Sequence, residues 1–129
     1  MSPNKQPPDE QVPLTPAVFY LLLALSEGER HGYELMKRVA LDSGGALRMG
    51  PGTLYGSIKR MLQKGLIEEV GEGTDLELGD ERRRYYRPTE AGRASLKAEL
   101  QRFASALSVA SGRSLSVSKL LRKVKSATA

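Results

Sequence analysis

Length, composition and charge describe one small globular domain with polar tails. The chain has 129 residues, 40% hydrophobic and 27% charged, with no Cys and a single His, which excludes disulfides, thiolate zinc sites, cysteine nucleophiles and multi-histidine metal sites. Its formal net charge of +5 favours a polyanionic partner, nucleic acid before an acidic membrane surface.

Residues 1–13 predict an arm outside the core, because they are polar and contain four prolines. The apolar run at residues 18–25 is too short to cross a bilayer, and no signal-peptide pattern precedes it. We therefore predict a cytoplasmic protein with no membrane partner.

Three helices are predicted between the arm and Gly65. The first begins with Thr15 as its N-cap and Pro16 at its first position, the second follows in the segment HGYELMKRVALD, and the third begins at Pro51. Gly65 is predicted as the left-handed residue that ends the third helix. Helical spacing predicts the buried faces as Val18, Leu21, Leu22 and Leu25, then Met36, Val39 and Ala40, then Leu54, Ile58, Met61 and Leu62.

A two-stranded hairpin and two more helices are predicted next. Residues 66–70 and 82–87 are the strands, and residues 71–81 form an acidic, glycine-rich loop between them. Thr89 caps a long helix that runs to about Ser111, and Gly112 interrupts it. A last short helix has Val117, Leu120, Leu121 and Val124 on one side and Lys119, Arg122, Lys123 and Lys125 on the other.

This layout is mainly α with a small β-hairpin: a winged helix-turn-helix followed by a C-terminal dimerisation helix. We assign residues 14–88 to the winged helix-turn-helix, residues 89–111 to the dimerisation helix and residues 112–129 to a short basic amphipathic tail. The long helix spans roughly 30 Å, more than a small three-helix core can cover. A second copy is therefore predicted to cover its apolar stripe, which consists of Leu96, Leu100, Phe103 and Leu107.

The outer face of the third helix is predicted to bind DNA. It holds Gly52, Gly56, Lys59, Arg60 and Gln63, with Thr53 at its edge. Each glycine weakens a helix by roughly 0.5–1 kcal/mol relative to alanine, so two on one exposed face indicate close approach of a partner to the backbone. A cationic face with a bare N-terminal half suits the major groove and its phosphates. The alternative is an ordinary solvated face on which glycines are tolerated.

Tyr55 lies between the inner and outer faces of this helix. It can pack as a core aromatic or place its hydroxyl on a phosphate, and we favour the phosphate.

The second strand of the hairpin supplies further candidates. Strand alternation places Arg82, Arg84 and Tyr86 on one side and Arg83, Tyr85 and Arg87 on the other, so at least one arginine row faces solvent. Arg83, Arg84 and Tyr85 are the predicted contacts to the DNA backbone. The alternative is that the acidic loop neutralises these arginines.

Three motifs together resemble the PadR family of bacterial transcriptional regulators: HGYEL at residues 31–35, GPGTLYGSIKRMLQKGLI at residues 50–67, and RRRYYRPTEAG at residues 83–92. The resemblance covers roughly residues 14–110. It implies a winged-helix domain, homodimerisation through the C-terminal helix and repression at a palindromic operator. Some relatives release DNA when small aromatic compounds bind, so the resemblance also implies a candidate effector of that class.

The predicted function is a sequence-specific, homodimeric DNA-binding regulator, a repressor whose partner is double-stranded DNA and which needs no cofactor. The alternative is a winged-helix adaptor that binds an acidic protein. An enzyme is not predicted, because His31 is the only histidine, there is no thiol, and no carboxylate pair stands in a recognisable catalytic constellation. We expect His31 to cap or orient the second helix.

Overall fold

The computed structural model describes residues 13–72 and 84–128. The helices are α1 (Pro16–Leu25), α2 (Gly32–Asp42), α3 (Pro51–Gln63), α4 (Glu90–Ser111) and α5 (Val117–Thr128). The strands are β1 (Arg30–His31), β2 (Ile67–Glu72) and β3 (Arg84–Pro88). The predicted fold class is confirmed: the chain is mainly helical with a small antiparallel sheet.

The sheet has one strand more than the predicted hairpin. Its order is β1-β3-β2, with His31 opposite Tyr85 on one side of β3 and Glu68 opposite Arg87 on the other. β1 is only two residues long, so it has no alternation of apolar and polar residues from which a strand could be predicted.

The helical core is built around α1. Leu21, Leu22 and Leu25 are fully buried there, and the hydroxyl of Thr15 accepts a hydrogen bond from the Val18 N–H, as predicted for the cap. In α2 the centre of the buried face is Leu35 with Val39. The predicted Met36 and Ala40 are only half-buried because they lie on either side of that centre.

The junction between α3 and α4 is closely packed. Gly65 has a φ of +73°, the left-handed conformation predicted for it. The Thr89 hydroxyl donates to the Gly65 carbonyl at 2.5 Å, and the Thr89 N–H donates to the Leu66 carbonyl at 3.0 Å. A side chain on Gly92 would collide with that same Leu66 carbonyl. Thr89 and Gly92 thus hold the start of α4 against the end of α3.

The first half of α4 lies in the core and the second half does not. Leu96 is buried with α1, whereas every residue from 101 to 109 is exposed. The chain's own core covers most of the Leu96 side chain, and contact of Leu96 with a second copy stays a prediction. Leu100, Phe103 and Leu107 are 42%, 45% and 41% exposed, and the Phe103 ring also meets the Phe19 ring edge-on at 5.1 Å.

One buried carboxylate ties α4 to the beginning of the described chain. Glu99 is 2% exposed, and its Oε2 accepts a hydrogen bond from the Leu14 N–H at 2.7 Å. Its Oε1 lies 3.2 Å from Arg102 Nε, so a cation offsets part of the cost of burying the charge.

Candidate nucleic-acid interface

Opposite faces of α3 differ as the sequence predicts. Leu54, Ile58 and Met61 are buried, at 0%, 3% and 1% exposure. The opposite face is exposed except for the half-buried Gly56, and it consists of Gly52, Thr53, Gly56, Lys59, Arg60, Gln63 and Lys64. We call these seven residues the outer face of α3.

Two side chains at the edges of α3 belong clearly to neither its buried face nor its exposed face. Leu62 is 37% exposed, so its predicted place in the core is wrong; at 100° per residue it lies well away from Leu54 and Met61. Tyr55 is half-buried against the core, with its hydroxyl beside the backbone of Gly32. It therefore takes the packing role, and contact of its hydroxyl with a phosphate remains a prediction.

The fold itself does not require the two glycines of the outer face. An added Cβ at Gly52 would meet nothing within 4 Å, and one at Gly56 would meet only the flexible end of Arg60 at 3.7 Å. Neither residue has a positive φ. The chain could accommodate alanine at both positions, so any need for a bare backbone there comes from outside the chain.

The N-terminus of α3 also lacks a side-chain cap. Thr15, His31 and Thr89 cap α1, α2 and α4, but Gly50 at the start of α3 makes no side-chain hydrogen bond to the helix. The first N–H groups of a helix have no partner within the helix, and they carry its positive dipole end. At α3 these groups are left for an external acceptor.

The segment that contains α3 has positively charged residues and no acidic ones. Between Asp42 and Glu68 the sequence contains no acidic residue, and its cations are Arg48, Lys59, Arg60 and Lys64. Among the described residues, no carboxylate lies within ion-pair distance of Lys59 or Lys64, and Arg60 makes only a 3.4 Å hydrogen bond to Ser57 Oγ. Arg48 is exposed just before α3, and its place in this acid-free segment marks it as a candidate that motif reasoning missed.

The arginines described on β3, the second strand of the wing, differ from the cations of α3 because they are paired with carboxylates. Arg84 Nη1 lies 3.4 Å from Glu69 Oε1, and Arg87 Nε donates to Glu68 Oε1 at 2.7 Å, which raises the pKa of Arg87. The neutralising carboxylates thus include those of the neighbouring strand β2. Tyr85 is half-buried with its ring edge-on to His31 at 5.5 Å, and Arg83 lies outside the described residues, as does most of the acidic loop.

Comparison with known proteins agrees with this geometry. The model of the transcriptional regulator PadR-like family matches residues 21–98, more than half of the chain. The chain belongs to the PadR-like family of transcriptional regulators. Family and fold together identify it as a DNA-binding transcriptional regulator at that general level. No curated protein matches the chain.

Solved structures show the same fold as this PadR-like chain. A transcriptional regulator from Clostridium thermocellum is 25% identical with a TM-score of 0.59, over 74% of this chain and 87% of that one. A PadR family regulator from Clostridium difficile R20291 is 22% identical with a TM-score of 0.60, over 76% and 97%. RosR from H. salinarum is 22% identical with a TM-score of 0.63, over 89% and 96%.

Several residues of the PadR-like motifs have structural roles here. In HGYEL, the Nδ1 of His31 accepts a hydrogen bond from the Glu34 N–H at 3.3 Å, and Gly32 leaves room for Tyr55 of the third-helix motif. Tyr86 of the wing motif is 5% exposed, and this burial, with Glu69 nearby, raises its pKa. The outer face of α3 contains the motif residues that the described fold leaves unused.

Other kinds of site find little support in the part of the chain that the structure describes. No cluster of three or more metal-ligating side chains occurs there, and none of the described helices combines the length and the hydrophobicity that spanning a bilayer requires. A groove of about 230 Å³ lies between α1 and α4, with Leu22, Leu96 and Leu100 in its lining and Arg93 and Lys97 also lining it. No aromatic side chain lines it, so it lends no support to the predicted aromatic effector.

Proposed function

We propose that this PadR-like protein binds duplex DNA through the outer face of α3 and represses transcription as a homodimer on a palindromic operator. The observation that carries the proposal is a helix face whose glycines the fold does not require and whose cations have no described acidic partner. Two such helices related by a dimer axis would meet half-sites about one helical turn, roughly 34 Å, apart.

Each part of the outer face has a role in this proposal. The uncapped N–H groups of Gly52 and Thr53 donate hydrogen bonds to a phosphate oxygen, as helix N-termini commonly do. Gly56 allows the helix backbone to lie close to the groove wall. Lys59, Arg60 and Gln63 reach farther along the groove, where an arginine or a glutamine can form paired hydrogen bonds to a guanine or an adenine.

The wing makes a weaker, supporting contribution in the proposal. Arg84 and Arg87 are paired with glutamates, but exposed ion pairs of this kind add little to stability. A phosphate can therefore replace the glutamate as the partner of Arg84. Contacts of Arg83 and Tyr85 with the DNA backbone stay predictions. Release of DNA by a small aromatic effector also stays a prediction.

The test is a DNA-binding titration on the operator obtained by footprinting the protein on its own upstream region. In the variant Lys59→Ala/Arg60→Ala we expect an affinity at least tenfold lower, because two cations that face DNA are lost. Arg93→Ala/Lys97→Ala is the matched control, since it removes the same charge from exposed positions of α4. Equal affinities for the two variants would remove α3 from the DNA interface.

The salt dependence of DNA binding distinguishes this function from the alternative, a protein adaptor. For binding to duplex DNA, the logarithm of the association constant falls linearly with the logarithm of the salt concentration. The slope is about −0.9 for each phosphate contact. We expect a steep slope for the wild type and a shallower one for Lys59→Ala/Arg60→Ala. A protein that binds no duplex even at low salt would fit the adaptor instead.

A further inference from the structure

Apolar surface and positive charge occupy different sides of α5. Leu120, Leu121 and Val124 are 56%, 50% and 60% exposed, and helical spacing places them on one side together with the half-buried Val117. We call these four residues the α5 stripe. The other sides of the helix carry four cations, which we call the α5 cations: Lys119, Arg122, Lys123 and Lys125.

The chain's own core does not cover the α5 stripe. All residues from 118 to 125 are exposed. Ser114, in the turn before α5, has a φ of +66°, a left-handed conformation that does not continue a helix, so α5 is separate from α4. A helix of 12 residues is marginal in water by itself, and contact of its apolar side with another surface stabilises it.

The sequence around α5 is rich in cations and contains no acidic residue. The last Asp or Glu of the sequence is Glu99, whereas residues 100–129 contain six Lys and Arg residues. Among the described residues, no carboxylate lies within ion-pair distance of Lys119, Arg122 or Lys123. Charge complementarity therefore favours an anionic occupant at α5, and it disfavours a second α5 with the same cations.

Anionic occupants differ in what they offer to the α5 stripe. Duplex DNA would bind the α5 cations through its phosphates but would leave two leucines and two valines in water. A groove in an acidic protein would cover the stripe, but such grooves usually bind aromatic anchors, and residues 112–129 contain no aromatic residue. An anionic lipid surface offers hydrocarbon to the stripe and phosphate headgroups to the cations at the same time.

The spread of the α5 cations also suits a charged plane better than a protein groove. At 100° per residue they extend over about 160° of the helix surface, so some of them would point away from a groove that holds the stripe. The potential of an anionic membrane extends about 8–10 Å at moderate salt, close to the roughly 10–12 Å diameter of a helix with its side chains. Cations on every side of α5 are therefore attracted to such a surface.

We propose that α5 adsorbs to an anionic membrane surface, with the α5 stripe among the acyl chains and the α5 cations among the headgroups. The helix lies in the plane of the surface and does not cross the bilayer. The prediction of no membrane partner rested on the lack of a spanning segment, which adsorption does not need. This contact goes beyond the proposed function, because it uses no residue of the outer face of α3.

Co-sedimentation of the full chain with lipid vesicles tests the inference. One set of vesicles contains phosphatidylcholine alone, and the other contains phosphatidylcholine and phosphatidylglycerol in equal parts. We expect binding to the mixed vesicles to be at least about tenfold tighter, because each cation near an anionic surface adds to the attraction. Binding to the mixed vesicles should also be weaker at about 0.5 M than at about 0.05 M NaCl, because salt screens that attraction.

Two double variants test the stripe and the cations separately. Leu120→Ser/Leu121→Ser is expected to bind the mixed vesicles about tenfold more weakly, because it buries less apolar surface in the lipid. Lys119→Ser/Arg122→Ser is expected to lose a similar factor on the mixed vesicles, because two attracted charges are removed, and to be unchanged on phosphatidylcholine alone.

Leu41→Ser/Val109→Ser is the matched control, since it removes two exposed apolar side chains outside α5 and should bind vesicles as the wild type does. A wild type that binds both kinds of vesicle equally overturns the inference, as does a Leu120→Ser/Leu121→Ser variant with wild-type affinity for the mixed vesicles. Equal losses of operator and vesicle affinity in that variant overturn it too, because α5 would then belong to the DNA complex. Vesicle binding without operator binding supports this inference and contradicts the proposed function.

Discussion

At the scale of single residues, the glycines of this chain fall into distinct classes. Gly92 lies so close to the Leu66 carbonyl that a Cβ would collide with it, and Gly65 has the positive φ that ends α3. Gly52 and Gly56 have neither constraint. A glycine that the native fold does not require lowers the stability of the protein. We therefore expect that a binding partner, and not the fold, requires Gly52 and Gly56.

Gly56→Ala and Gly52→Ala should therefore stabilise the free protein and weaken its binding to DNA. The gain in unfolding free energy should be about 0.5–1 kcal/mol at Gly56, in the helix interior, and less at Gly52 in the first turn. Urea unfolding measures the first effect, and fluorescence anisotropy with operator DNA measures the second. Variants that are more stable and bind equally well would show that the bare face has no role in recognition.

At the scale of elements, caps and inner faces could be predicted from sequence because they depend on local spacing. Thr15, Thr89 and Gly65 behave as their residue types predict. The strand β1 could not be predicted, because its pairing with β3 depends on tertiary contacts. The burial of Leu96 could not be predicted for a related reason: the apolar stripe of α4 continues with the same period, and only the position of α1 shows where the core ends.

The candidate site could be predicted in part for the same reasons. The outer face of α3 follows from helical periodicity once Leu54 and Ile58 point inward. The pairing of Arg84 with Glu69 depends on strand register, which the hairpin sequence leaves open. Tyr55 lies at an edge, and its position depends on the space above Gly32 in another helix.

The packing of α4 on the end of α3 makes Gly92→Ala a test at the element scale. The new methyl group would meet the Leu66 carbonyl oxygen and Leu22 Cδ2. Moving the Leu66 backbone away costs more free energy than the higher helix propensity of alanine supplies. We expect a loss of about 1–3 kcal/mol in unfolding free energy, measured by urea unfolding. Gly112→Ala is the control, because its Cβ would make only an ordinary 3.5 Å contact with the Val109 carbonyl oxygen. Equal stabilities would mean that α4 can move away from Leu66 at little cost.

At the scale of the whole molecule, the two proposed activities occupy different regions with opposite requirements. The outer face of α3 offers cations and a bare backbone to a polyanion, whereas α4 offers the apolar side chains of Leu100, Phe103 and Leu107 to a second copy. If the protein acts as a dimer, DNA affinity depends on both. Joining two binding surfaces raises overall affinity by about 10²–10⁴ over one, without any new contact to DNA.

Leu107→Asp should therefore weaken operator binding although Leu107 lies on α4. Leu107 is 41% exposed, so the substitution leaves the core intact and places a charge in the proposed interface, where its desolvation opposes dimerisation. We expect a monomer in sedimentation, a melting temperature that no longer rises with protein concentration, and an operator affinity lower by about 10²–10⁴. Ser105→Asp is the matched control, since it adds the same charge on the opposite side of α4 and should change none of the three. A Leu107→Asp monomer that binds the operator with wild-type affinity would show that each chain recognises DNA alone.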